Sequence, residues 1–251
     1  MKKLAMLSCV AALGAVAFAT QPLESANIVG YVTYQLKGGA QEVRGVPFLT
    51  TGTTSFSLQD IKLSNGTDGT DIVMFWDPAT RTWETIQHWN EAYETLESEE
   101  SIGEGWGDGE GTLVNKTMTP GTAFWIKTLN DTSVTIPGQV VAATDASNMK
   151  TKGGLQDLIA GVFPVALNIQ DISLGANGTD GTDIIMLWNA DRTWTTIQHW
   201  NEAYETLESE ESIGEGWGDG EGTLIQKTLD PAQGFWIKTL NDCTITFKSP
   251  L

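Results

Sequence analysis

Two stretches of this sequence have the residue types and spacing to hold a ligand. The nonapeptide GEGWGDGEG at 103–111 returns unchanged at 214–222. Glycine alternates there with Glu104, Trp106, Asp108 and Glu110, and in the second copy with Glu215, Trp217, Asp219 and Glu221. In an extended chain those four side chains project to one side and the glycines to the other. Spaced carboxylates suit a hard cation, and glycine lets backbone carbonyls join the ligand shell, so Ca2+ is the expected cofactor. The motif NGTDGTD at 65–71 and 177–183 has the same character and adds Asp68, Asp71, Asp180 and Asp183. Neither motif follows the EF-hand pattern. For NGTDGTD the plain alternative is a turn, which needs only Asn, Gly and Asp.

The second chemistry is carbohydrate stacking on indole. Each half of the chain carries five tryptophans: Trp76, Trp83, Trp89, Trp106 and Trp125, then Trp188, Trp194, Trp200, Trp217 and Trp236. Trp76 and Trp125 lie in apolar segments and are expected in the core. Trp106 and Trp217, flanked by glycine and acid, are the expected ligand-binding pair. The alternative for them is an anchor tucked onto a sheet, because large aromatics are usually mostly buried. No catalytic pattern such as G-x-S-x-G or H-E-x-x-H occurs, and His88 and His199 each stand alone between glutamine and tryptophan. The chain is therefore expected not to be an enzyme, with no catalytic residues to name.

The elements that must position these residues read as short strands. NIVGYVTYQL at 27–36 is rich in β-branched and aromatic residues, and 71–76 is a short apolar run. Residues 81–89 alternate, with Trp83, Thr85, Gln87 and Trp89 on one face and Glu84, Ile86 and His88 on the other. The turn DPATR at 77–81 shortens to NADR at 189–192, a length change that a surface hairpin tolerates. FWIKTL at 124–129 and residues 133–136 close the unit. Residues 90–101 read as a short helical turn or ordered loop, since their carboxylates crowd the end where the helix dipole repels them. The expected class is all-β: two tandem β-sandwich-like or partly open barrel domains, each with an acidic insertion.

The duplication is the strongest signal. Residues 85–113 recur without change at 196–224, and the match continues with substitutions on both sides. The period of about 111 residues is domain-sized. It divides the chain into 27–137 and 138–251. Two explanations fit the identical tract, constraint on both copies and gene conversion, and synonymous DNA differences would separate them.

Charge and processing bound the setting. Residues 1–19 read as a secretory signal peptide, with MKK before an apolar run and Ala17-Phe18-Ala19 at its end, or with cleavage as late as 26. The mature chain is expected in the periplasm, the medium or at the cell surface, with no membrane span. After cleavage only Cys243 remains, so no intrachain disulfide can form. Losing Lys2 and Lys3 leaves 12 basic against 32 acidic residues, a net of −20. Residues 91–110 and 202–221 each hold eight of the acids and no base. This concentration argues against nucleic acid and anionic lipid as partners.

The residues ESANIVGYVT at 24–33, WDP at 76–78 and PGTAFWIK at 120–127 resemble a group of functionally uncharacterised secreted bacterial proteins with β-rich repeats. The resemblance spans nearly the whole mature chain and departs at PAQGFWIK, 231–238. It implies an extracellular β-rich architecture and brings no catalytic residues. Together these readings give an exported structural or adhesive surface protein with Ca2+-ordered acidic loops. The alternative is a bivalent carbohydrate-binding protein using loop tryptophans. Extracellular polysaccharide or other surface proteins are the expected partners.

Overall fold

The computed structural model describes residues 29–98, 100–141, 149–209 and 211–248. The expected signal peptide, residues 1–19, lies outside them. The protein is all-β, and each sequence repeat folds as a sandwich-like pair of larger antiparallel sheets with one further two-stranded sheet, residues 56–57 with 117–118 in the first repeat and 167–168 with 228–229 in the second.

The first unit contains β1 (Val29–Leu36), β2 (Gln41–Gly45), β3 (Phe48–Leu49), β4 (Phe56–Ser57), β5 (Lys62–Leu63), β6 (Ile72–Asp77), β7 (Thr82–Ala92), β8 (Gly103–Gly107), β9 (Thr117–Met118), β10 (Ala123–Lys127) and β11 (Thr132–Val140). Its outer sheet runs β1-β11-β3, with β5 also on β11. Its inner sheet runs β2-β10-β6-β7-β8. The second unit repeats this with β12 (Met149–Thr151), β13 (Gln156–Ala160), β14 (Leu167–Asn168), β15 (Ile172–Ser173), β16 (Ile184–Trp188), β17 (Trp194–Ala203), β18 (Gly214–Gly218), β19 (Thr228–Leu229), β20 (Gly234–Lys238) and β21 (Cys243–Phe247). Its sheets run β12-β21-β15 and β13-β20-β16-β17-β18. β11 stays paired through Pro137 and Gly138 to Gln139 and Val140, so sheet pairing of the first unit continues past 137.

The alternation of each strand decides its layer. In β6 and β7, Val73, Phe75, Ile86 and His88 point into the sandwich core. β10 reads as a continuous apolar run because both its faces are covered. Phe124 and Ile126 enter the core of their own unit, while Ala123 and Trp125 join Val43, Leu158, Ala160 and Trp236 in a separate cluster between the two inner sheets. The molecule is therefore four layers deep, outer-inner-inner-outer, with a seam between the inner sheets.

The seam is two-fold symmetric in its chemistry. The Trp76 indole N–H donates to the Gln156 carbonyl at 2.9 Å, and the Trp188 indole N–H donates to the Gln41 carbonyl at 2.8 Å. Gly45 N–H donates to the Ala232 carbonyl at 2.8 Å, and Ala160 N–H to the Gly121 carbonyl at 2.9 Å. Each pair exchanges equivalent positions of the two repeats. The backbones meet so closely that a Cβ on Gly45 would lie 2.0 Å from that of Ala160.

Among the described residues of 90–101 there is no helix: β7 runs on to Ala92, and a bend and a turn follow at 94–97. Among the described residues no helix is long and apolar enough to cross a membrane.

Candidate functional site

The acidic motifs are built around tryptophan rather than around a shared cavity. The Trp89 indole lies over Gly69 of NGTDGTD and Gly111 of the acidic nonapeptide, where a Cβ on either glycine would touch the ring at 3.4 Å. Its N–H donates to the Asp108 carbonyl at 2.9 Å. Trp200 repeats this against Gly181, Gly222 and Asp219. An indole thus separates the two loops whose carboxylates were expected to bind Ca2+.

The carboxylates bond to nearby chain. Asp71 is fully buried and accepts the N–H groups of Thr67 at 2.8 Å and Leu129 at 2.7 Å. Asp183 does the same for Thr179 and Leu240. Asp68 and Asp180 accept the N–H groups of Asn90 and Asn201. Asp108 closes its turn by accepting from Glu110 and Thr112, as Asp219 does from Glu221 and Thr223. Only the bonds of Asp108 to Glu110 and of Asp219 to Glu221 are of the local Asx kind, while those to Leu129, Leu240, Asn90 and Asn201 tie the loop to distant chain. Glu110 and Glu221 are exposed at the turn tips. Among the described residues no three His, Cys, Asp or Glu side chains converge as a metal site needs.

Glu104 and Glu215 face buried histidines. His88 Nε2 lies 3.1 Å from a Glu104 oxygen, and His199 Nε2 lies 3.0 Å from Glu215. Burial alone would raise the Glu215 pKa. Hydrogen bonds from His199, Ser173 and the Leu174 N–H outweigh it and hold the carboxyl at about 2. Each imidazole also meets an indole edge-on, His88 with Trp106 and His199 with Trp217, at ring separations of 5.3 Å.

The exposure expected for Trp106 and Trp217 is corrected by this packing. Trp106 is 1% exposed and Trp217 0%, among the largest fully buried side chains. Their indole N–H groups donate to the Ile61 and Ile172 carbonyls, at 2.9 and 2.7 Å. The Gln59 amide bonds both the N–H and the carbonyl of Trp106, and Gln170 does so for Trp217. A ring so enclosed offers no face to a sugar. The paired motifs LQDI and IQDI, repeated at constant distance from GEGWG, were the sequence signal for this clamp.

The accessible tryptophans lie at the seam. Trp76, Trp83 and Trp236 form one cluster, with ring separations of 5.1, 5.3 and 5.8 Å. Trp188, Trp194 and Trp125 form its counterpart, at 4.9, 5.2 and 5.9 Å. Each cluster draws two rings from one unit and one from the other. Trp83 and Trp194 are both 40% exposed. Trp125 is buried as expected, but in the seam rather than in its own sandwich, and Trp76 is half-buried there.

A cleft opens beside each cluster. One, of about 270 Å3, is lined by Trp76, Pro78, Arg81, Gly154, Gln156 and Lys238. The other, of about 310 Å3, includes Trp188, Asn189, Arg192, Gln41, Lys37 and Arg44. The hairpin of one unit, 77–81 or 189–192, forms one wall, and the first turn of the other unit forms the opposite wall. Comparison of the chain with protein-family models, curated proteins and solved structures gives no match.

Proposed function

We propose that this is an exported, non-catalytic surface protein that adheres to extracellular polysaccharide through two equivalent clefts, one beside each seam tryptophan cluster. The observation that carries this reading is the recurrence of one constellation on both sides of the seam. A half-buried indole, Trp76 or Trp188, lines a cleft with an arginine and a glutamine twice, and the more exposed Trp83 or Trp194 packs on that indole, although the hairpins that supply the arginines differ in length. Trp83 and Trp194 are held by the neighbouring rings of their clusters, so little side-chain entropy is lost when a pyranose stacks on them. Two weak sites on one rigid body gain avidity on a polymer. Export rests on the signal-like residues 1–19. Calcium-ordered loops draw less support, because the Asp68, Asp71 and Asp108 carboxylates already bond to backbone N–H groups.

Retention of the mature protein in gels containing a panel of polysaccharides tests the reading. At least one polymer should retard it, equally in EDTA and in millimolar Ca2+. The paired change Trp83→Ala and Trp194→Ala should abolish the retardation while the β-sheet circular dichroism stays unchanged. Retention that survives the pair, or that needs Ca2+, would overturn the assignment to the clefts.

A further inference from the structure

We infer that the ligand of the two clefts is an acidic saccharide chain, held by Arg81 and Arg192 at its carboxylates while its sugar rings lie against the adjacent indoles. This rests on the proposed adhesion to polysaccharide and names the class of polymer.

Charge placement is the first support. The sequence has 14 basic against 32 acidic residues. Yet all three arginines, Arg44, Arg81 and Arg192, line one cleft or the other. The cleft beside Trp76 has Arg81 and Lys238 in its wall and no acid. The cleft beside Trp188 has Lys37, Arg44 and Arg192 against Glu42 and Asp230; Arg44 is paired with Glu42 and Lys37 with Asp131, which leaves Arg192 beside Asp230. Among the described residues Arg81 and Arg192 form no ion pair. The acid-rich tract does not cancel this charge. β7 begins beside the cleft and reaches the acidic loop eleven residues later, roughly 30 Å at the rise of a strand. Screening at physiological salt acts within about 8 Å.

Backbone conformation is the second, independent support. Arg81 has φ 58° and Arg192 φ 65°, the left-handed region that side chains other than glycine's rarely enter. The hairpins need that conformation, since Arg81 N–H returns to the Asp77 carbonyl and Arg192 N–H to that of Asn189. Glycine would meet the need at lower conformational cost. Both copies place arginine there instead, despite turns of unequal length. Backbone strain kept at the mouth of a cleft points to a use for the side chain. A planar guanidinium matches a carboxylate with two parallel hydrogen bonds, which suits a uronate beside a stacking surface.

The test measures binding to polygalacturonate, neutral dextran and double-stranded DNA in EDTA, for the wild-type chain and for Arg81→Gly with Arg192→Gly. Glycine suits the turn, so the variant should melt at the same or a higher temperature. The wild-type chain should bind polygalacturonate at least about tenfold more tightly than dextran or DNA, weaken as salt rises, and lose that preference in the variant. Equal binding to dextran with no effect of the glycine changes would overturn the acidic-ligand inference and leave adhesion to polysaccharide standing. Binding to DNA as tight as to polygalacturonate would reduce the clefts to bare charge and overturn it too. A chain that binds no polysaccharide in this test or in the gel panel would overturn both.

Discussion

Glu104 and Glu215 belong to an identical tract, yet the segments that face them differ. Position 62 of the first unit is lysine and its counterpart in the second is Ser173, whose hydroxyl reaches both Glu215 oxygens at 3.0 and 2.8 Å. With His199 and the Leu174 N–H, that hydroxyl lowers the Glu215 pKa from 4.5 to about 2 despite burial. A carboxyl depressed in the folded state adds stability that is complete above its unfolded pKa and disappears as pH falls through the folded value. The urea midpoint of the wild-type chain should therefore exceed that of Glu215→Gln by a constant margin above about pH 5. The margin should shrink below pH 4.5 and vanish near pH 2. A margin independent of pH would show that the carboxylate charge contributes nothing. Glu215 thus serves the fold, which accounts for one of the residues that spacing alone had marked for metal.

At the scale of elements, the alternating glycines of β8 answer to what lies against them. A Cβ on Gly107 would meet the Thr112 carbonyl oxygen at 2.8 Å, and backbone cannot swing aside. Gly107→Ala should destabilise the first unit by about 1–3 kcal/mol, as overpacking does. Gly109→Ala, whose Cβ would meet only the Gln87 side-chain oxygen at 3.9 Å, should cost little. Equal melting temperatures for the two variants would contradict the close approach. The strands themselves were legible because Val73, Phe75, Ile86 and His88 keep the two-residue period that burial on one face imposes. The placement of Trp106 was not, because Gln59, which clamps it, is distant in sequence and only sheet closure brings the two together. Nor was the seam. Trp125 read as ordinary core, since a strand covered on both faces looks the same whether its second cover comes from its own unit or from another. The turn DPATR was legible as a hairpin, while the left-handed φ of its arginine was not.

At the scale of the whole molecule, duplication has produced a two-fold pair inside one chain. The exchanged bonds, Trp76 to Gln156 and Trp188 to Gln41, hold the inner sheets together. In doing so they create two clefts whose walls come from both units. A single repeat has only half of each wall. The acidic loops, with half the carboxylates of the chain, follow the far ends of β7 and β17, away from the cleft mouths where, among the described residues, Arg81 and Arg192 stand without an ion-pair partner. Bivalence is therefore the central claim, and stoichiometry tests it most directly. Calorimetric titration with a short oligosaccharide cut from the best-retained polymer should give two equivalent sites per chain. It should give one after Trp83→Ala, and none after Trp194→Ala is added. A single site, or two sites untouched by these substitutions, would contradict the account.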